Sequence, residues 1–176
     1  MLPKKTLSVK SMVLLALMVA LNVLLGRFSI QLVPQVRLSV LGFLPIAMAG
    51  FILGPVYGAL TGALGDVVNY FLFTHVYGAY FPGYTITAMF SGAWYGFVLR
   101  GKKITWQRAI LAILPVILLG EMGLNSLWTY VLYGKTLWAN LPLRLLTNAI
   151  ECPVKVLLLM GMTKMLDRFP KSYLKL

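Results

Sequence analysis

The chain has 176 residues, 60% apolar and only 11% charged, and its mean hydropathy of +0.85 lies far above that of a water-soluble domain. A formal net charge of +12 would point a soluble protein toward nucleic acid, but here the basic residues cluster at the ends of apolar segments, where they set membrane topology instead. At roughly 20 residues per crossing, the length allows about six spans with short connections and no soluble domain, so residues 1–176 read as one integral membrane unit.

Lys4, Lys5 and Lys10 precede the first apolar run, 11–26, in the manner of a secretory signal peptide. No A-x-A-like site follows Leu25 and Gly26, and five more apolar runs come after, so this first helix is expected to be retained. The later runs are 41–53, 56–73, 84–99, 109–132 and 141–165. Gly54 and Pro55 divide the second from the third, and Arg100, Gly101, Lys102 and Lys103 close the fourth. With the N-terminus inside, segments 1–10, 54–55, 100–108 and 164–176 are cytoplasmic and hold eleven of the sixteen Lys and Arg residues. The outer loops carry only Arg27, Arg37 and Lys135, and the last span carries Arg144 and Lys155. The sequence therefore predicts an all-α, polytopic bundle of six transmembrane helices with both termini cytoplasmic.

The outer loops differ in kind from the inner ones. The loop from about 27 to 40 mixes Gln31, Pro34, Gln35 and Arg37 with apolar residues, which suggests a structured cap. The loop 74–83 is aromatic, with Tyr77, Tyr80 and Phe81 ahead of Tyr84, and both loops can close over a pocket. Trp106, Tyr133 and Trp138 read equally well as an interfacial aromatic belt.

Ionisable groups at membrane depth cost at least ~2.5 kcal/mol each, so they face a partner or a cavity. Asp66, Asn69, Tyr70 and Phe73 share one face of the third helix, and Glu121, Asn125 and Trp128 one face of the fifth. Arg144, Asn148, Glu151 and Lys155 form a stripe on the sixth, beside Pro153, which frees the Ala149 carbonyl. Three polar faces under Arg-bearing outer loops predict a cavity. Two blander readings stay open: Glu151 and Lys155 neutralise one another at i, i+4, and Asp66 pairs with Arg144 as structural glue. Three small-xxx-small pairs, Ala16/Ala20, Gly58/Gly62 and Gly92/Gly96, permit close helix contact. For the glycines that contact is expected inside the protein. Ala16 and Ala20, on a helix without a strong polar face, suit either internal packing or another protein.

Cys152 has no partner in the sequence, and His75 is the sole histidine, so neither a disulfide nor a metal cluster is indicated. No H-E-x-x-H or G-x-S-x-G occurs. Gly134, Lys135 and Thr136 mimic the end of a phosphate-binding loop, but position 129 is Thr where the loop needs Gly. An enzyme is not expected, and uphill transport would need a partner or an ion gradient.

Over nearly its whole length the chain resembles the substrate-binding S components of energy-coupling factor (ECF) vitamin transporters, most nearly the folate type. The segments that carry the resemblance are Ala16-Leu17-Met18-Val19-Ala20, Arg37-Leu38-Ser39, Gly42-Phe43-Leu44-Pro45, Gly54-Pro55-Val56-Tyr57-Gly58, Gly65-Asp66 and the run Tyr80-Phe81-Pro82-Gly83-Tyr84-Thr85-Ile86-Thr87-Ala88. Leu124-Asn125-Ser126-Leu127-Trp128 and Leu143-Arg144-Leu145 extend it, with Ser126 where such proteins usually have Thr. The resemblance implies a multi-pass protein of the bacterial cell membrane, surrounded by lipid, that captures a vitamin from outside without a cofactor. It implies docking, through the A-x-x-x-A helix with Ala16 and Ala20, on a transmembrane coupling subunit that carries two cytoplasmic ATPases, followed by toppling of the S component in the bilayer. Folate fits the residues: Arg27, Arg37 and Arg144 suit its carboxylates or loop closure. Tyr80, Phe81, Tyr84 and Trp128 suit its rings, and Asp66, Asn125, Asn148 or Glu151 its pterin edge. Thiamin or riboflavin in the same machine, and a membrane scaffold without a ligand, are the competing readings.

Overall fold

The computed structural model describes residues 9–33, 36–38, 40–74, 80–134 and 136–166. Helices stand at all six marked stretches. The first, α1, is Val9–Gly26, and its Leu-, Met- and Ala-rich run has neither Gly nor Pro in its interior. An antiparallel ribbon follows, β1 (Ile30–Val33) and β2 (Val36–Leu38), with Ile30 opposite Leu38 and Gln31 opposite Arg37. The expected structured cap is thus a short hairpin of four and three residues, set in a chain that is otherwise helical, as expected. Antiparallel pairing lets the backbone of so short a loop satisfy its own donors and acceptors.

Next come α2 (Phe43–Leu53) and α3 (Pro55–Asn69). Gly54 joins them at φ 107°, where a side chain would be strained, and its N–H reaches the carbonyls of Ala49 and Gly50 at 3.3 and 3.0 Å. Pro55 then opens α3 where a missing N–H costs nothing. A π-helical turn, Tyr70–Thr74, continues α3. After extended Phe81, Pro82 opens α4 (Pro82–Leu99) in the same way.

The fifth helical path is continuous but not uniform. It runs from α5 (Trp106–Pro115) through a π-helical stretch, Val116–Leu124, into α6 (Asn125–Tyr133). Pro115 cannot donate to the Leu111 carbonyl one turn back, and the Trp94 indole N–H takes that carbonyl at 3.1 Å. The wide turns that follow contain Glu121. Last, α7 (Thr136–Leu166) runs 31 residues through Pro142 and Pro153.

Among these, Val9–Gly26, Pro55–Phe73, Trp106–Leu132 and Pro142–Met162 are long and apolar enough to cross a membrane. The helix Phe43–Leu53, at 11 residues, covers only about 16 Å at 1.5 Å per residue. The surface is inside-out for water: Leu17, Phe97, Leu119 and Leu157 are all more than half exposed.

The glycine pairs predicted to pack internally do so. A Cβ on Gly58 would run into the Gly92 carbonyl, one on Gly62 into the Ala88 carbonyl, and one on Gly96 into the Pro55 backbone. Hence α3 and α4 cross backbone against backbone, with Gly50 of α2 against Gly96. On the other side of α4, Tyr95 and Leu99 pack with Ala112, Ile113 and Leu159 into the core that ties α5 and α7 to the bundle.

Candidate functional site

Burying a hydroxyl in this core requires an acceptor, and the chain supplies one locally: Thr61, Thr87, Ser91 and Thr129 each donate to the carbonyl four residues back. Two of these hydroxyls also accept from other helices. The Trp128 indole N–H donates to Thr87 Oγ1 at 3.1 Å, and Arg144 donates to Thr129 Oγ1 at 2.6 Å and to Ser126 Oγ at 3.1 Å. The Tyr84 and Thr129 hydroxyls lie 3.3 Å apart. Phe81 stands against Trp128 with ring centroids 5.7 Å apart, and against Tyr84 at 6.1 Å. Gly83 makes room for both Phe81 and Trp128, since a Cβ there would overlap their rings. Phe81, Tyr84, Trp128 and Arg144, anticipated from sequence, therefore form one cluster where α4, α6 and α7 meet. Arg144 is 7% exposed within it. Asn125 adds a buried side-chain oxygen that has no hydrogen-bond partner among the described residues.

A second cluster lies on α3 and α4. Thr85 Oγ1 donates to Asp66 Oδ2 at 2.7 Å, and the Tyr80 and Thr85 hydroxyls are 2.7 Å apart. The Tyr80 ring meets Tyr70 at 5.1 Å and stacks on Phe71 at 6.2 Å. The Arg27 guanidinium sits 4.2 Å above the Phe73 ring, a cation–π contact at the end of α1. Arg37 lies on β2, which runs alongside α7. His75 and Tyr77 lie outside the described residues.

The third cluster is ionic. Lys155 Nζ sits between Glu121 Oε1 at 2.7 Å and Glu151 Oε2 at 2.5 Å. The i, i+4 neutralisation of Glu151 by Lys155 is thus realised, but with Glu121 as a third member that spacing within one helix could not reveal. All four residues of the α7 stripe, Arg144, Asn148, Glu151 and Lys155, are buried, as one inward face requires.

A cavity of about 190 Å³ connects the second and third clusters. Asn22, Asp66, Asn69, Ser91, Glu121 and Lys155 supply its polar lining, and Phe43 and Tyr95 its aromatic surface. Asn22, on a helix that otherwise has no strong polar face, is buried and donates to the Gly42 carbonyl at 2.7 Å. Tyr95 and Asn22 were not anticipated because a single polar residue in an apolar run leaves no periodic signal. On the outer face of α1, Ala16 and Ala20 are exposed beside Val13, Leu17 and Leu24.

Comparison with known proteins agrees with this architecture. Residues 6–144 match the family described as ECF-type riboflavin transporter, S component. The folate transporter FolT of Clostridium novyi (strain NT) is 33% identical over 91% of both chains. The FolT of Leuconostoc mesenteroides is 30% identical over 85% of this chain and 82% of its own, and that of Streptococcus mutans 25% identical over 94% and 91%. A crystal structure of FolT bound with folic acid superposes with a TM-score of 0.77 at 35% identity, covering 85% of this chain and 88% of that one.

Proposed function

Because the chain belongs to the S-component family of ECF-type transporters, a family of transporter subunits and not of enzymes, we propose that it captures folate from outside the cell and delivers it across the membrane. The family match bears the name riboflavin, whereas the relatives aligned along nearly the whole chain are folate transporters. Chemistry favours folate. Riboflavin carries a neutral ribityl chain, whereas folate ends in a glutamate with two carboxylates, which a guanidinium can grip with paired bonds. The observation that carries this reading is the buried Arg144, which donates to Thr129, the hydroxyl that also meets Tyr84, while the Phe81 ring packs against both Tyr84 and Trp128, so that a guanidinium and three aromatic rings belong to one cluster.

In this reading the six helical paths, with α5, the π-helical stretch and α6 counted as one, make up a transmembrane bundle with both termini cytoplasmic, in a bacterial cell membrane. Eleven basic residues in the cytoplasmic segments support that orientation. Delivery is driven by ATP hydrolysed on two cytoplasmic subunits, through a transmembrane coupling subunit that docks on the exposed Ala16/Ala20 face of α1. Small side chains there let another helix approach closely. Arg27 and Arg37, at the ends of the hairpin segment, serve loop closure. The test is a titration of purified protein with folate, riboflavin and thiamin while Trp fluorescence is followed. Folate alone is expected to quench, and Trp128→Phe should remove most of the response. Quenching by riboflavin or thiamin in place of folate, or by none of the three, would overturn the proposal.

A further inference from the structure

The cavity between α1, α3, α4 and the π-helical stretch has a size and a charge that say which part of a ligand it takes. An apolar cavity of ~150 Å³ holds a benzene molecule. At about 190 Å³ this one has room for a single fused bicyclic ring and not for a molecule of folate's length. Phe43 and Tyr95 supply aromatic surface for such a ring. The polar lining is acidic on balance. Glu121 and Asp66 both open onto the cavity, whereas Lys155, its one cation, is held between two carboxylates. A carboxylate-bearing tail would be repelled from this floor, so the ring enters and the tail points out.

Resting on the folate reading, we propose that Glu121 is a specificity-determining residue that accepts N–H groups from the donor edge of the pterin ring, with Lys155 and Glu151 as positioning residues behind it. From the sequence, Glu151 was one of four residues suited to the pterin edge, with Asp66, Asn125 and Asn148. In the structure, however, the Glu151 side chain is 3% exposed, bound to Lys155 and absent from the cavity lining, whereas Glu121 is 29% exposed and lines the cavity. Lys155 donates to Oε1 of Glu121, and no hydrogen bond to Oε2 is found among the described residues. Widening of the helix at Val116–Leu124 carries Glu121 away from a regular α-helical position, a distortion common at functional sites. The 2-amino group and ring N–H of a pterin are adjacent donors that one carboxylate can satisfy together. The flavin ring of riboflavin has a single N–H on the corresponding edge, between two carbonyls that a carboxylate would repel.

Equilibrium binding to Glu121→Gln, which keeps the size and replaces an acceptor by a donor, tests this. Folate affinity should fall about 10- to 100-fold, the worth of a charge-assisted hydrogen bond. On wild-type protein, 2-desamino-2-methyl folate, which lacks the amino donor, should lose a similar factor, and Glu121→Gln should weaken that analogue much less than it weakens folate. The analogue experiment needs no variant to fold. Equal losses for both ligands in Glu121→Gln, or unchanged folate affinity in a monodisperse variant, would overturn the role of Glu121 and leave the folate reading standing. Failure of the wild-type protein to bind folate would instead overturn the reading beneath it.

Discussion

Replacing Lys155 with Met should be among the most damaging single changes to stability in this chain. Its Nζ lies 2.7 Å from Glu121 and 2.5 Å from Glu151, and the side chain is 3% exposed. Met fills nearly the same space, so the effect is electrostatic. Removing one member of a buried ion pair costs about 3–5 kcal/mol, because the carboxylate left behind has lost its partner far from water. Most of that cost belongs to Glu151, which is as buried as the lysine, whereas Glu121 at 29% exposure retains access to water in the cavity. For a chain of this size 1 kcal/mol moves the midpoint by about 2–4 °C, so a fall of roughly 6–20 °C is expected. Thermal unfolding in detergent, followed by Trp fluorescence, measures it. The double variant Lys155→Met with Glu151→Gln should recover more than half of the loss, because no buried carboxylate then lacks its counter-charge. A Lys155→Met midpoint within about 2 °C of wild type, or a double variant less stable than the single one, would refute the reasoning.

Three further outcomes follow from the same geometry. Gly92→Leu should prevent α3 and α4 from closing, since a side chain there meets the Gly58 backbone, while Gly161→Ala, where a Cβ touches nothing, should be neutral or stabilising by up to about 1 kcal/mol; size-exclusion profiles and melting midpoints distinguish the two. Arg144→Gln should weaken folate about 10- to 100-fold but leave a folate diester, whose tail is uncharged, nearly unaffected, as measured by competition binding. Ala16→Leu with Ala20→Leu should abolish folate uptake by cells that supply the coupling module while purified protein binds folate normally; uptake that survives would remove the docking role of α1.

Much of this fold is legible because lipid imposes long apolar runs, and Gly54, Pro55, Pro82 and Gly101 punctuate them where helices begin and end. The inward stripe on α7 was readable for the same reason, since helical periodicity puts Arg144, Asn148, Glu151 and Lys155 on one face. Pairing between helices was not readable. The spacing of Glu151 and Lys155 gives half of an ion triad, and the other half, Glu121, arrives through a π-helical distortion that periodic reading treats as regular helix. Nor does the sequence mark which hydroxyls matter. Thr87 and Thr129 are unexceptional in a helix, yet they receive Trp128 and Arg144 because their own donors are already satisfied by the preceding turn. The hairpin Ile30–Val33 with Val36–Leu38 was anticipated as structure but not as strands, its four and three residues being too few for alternation to show.

The most direct test of the central claim is equilibrium dialysis of the purified chain, without partner subunits, against radiolabelled folate. Saturable binding of one folate per chain, displaced by unlabelled folate and unaffected by excess riboflavin or thiamin, is the predicted result. Displacement by riboflavin as readily as by folate, or no saturable binding, would contradict it.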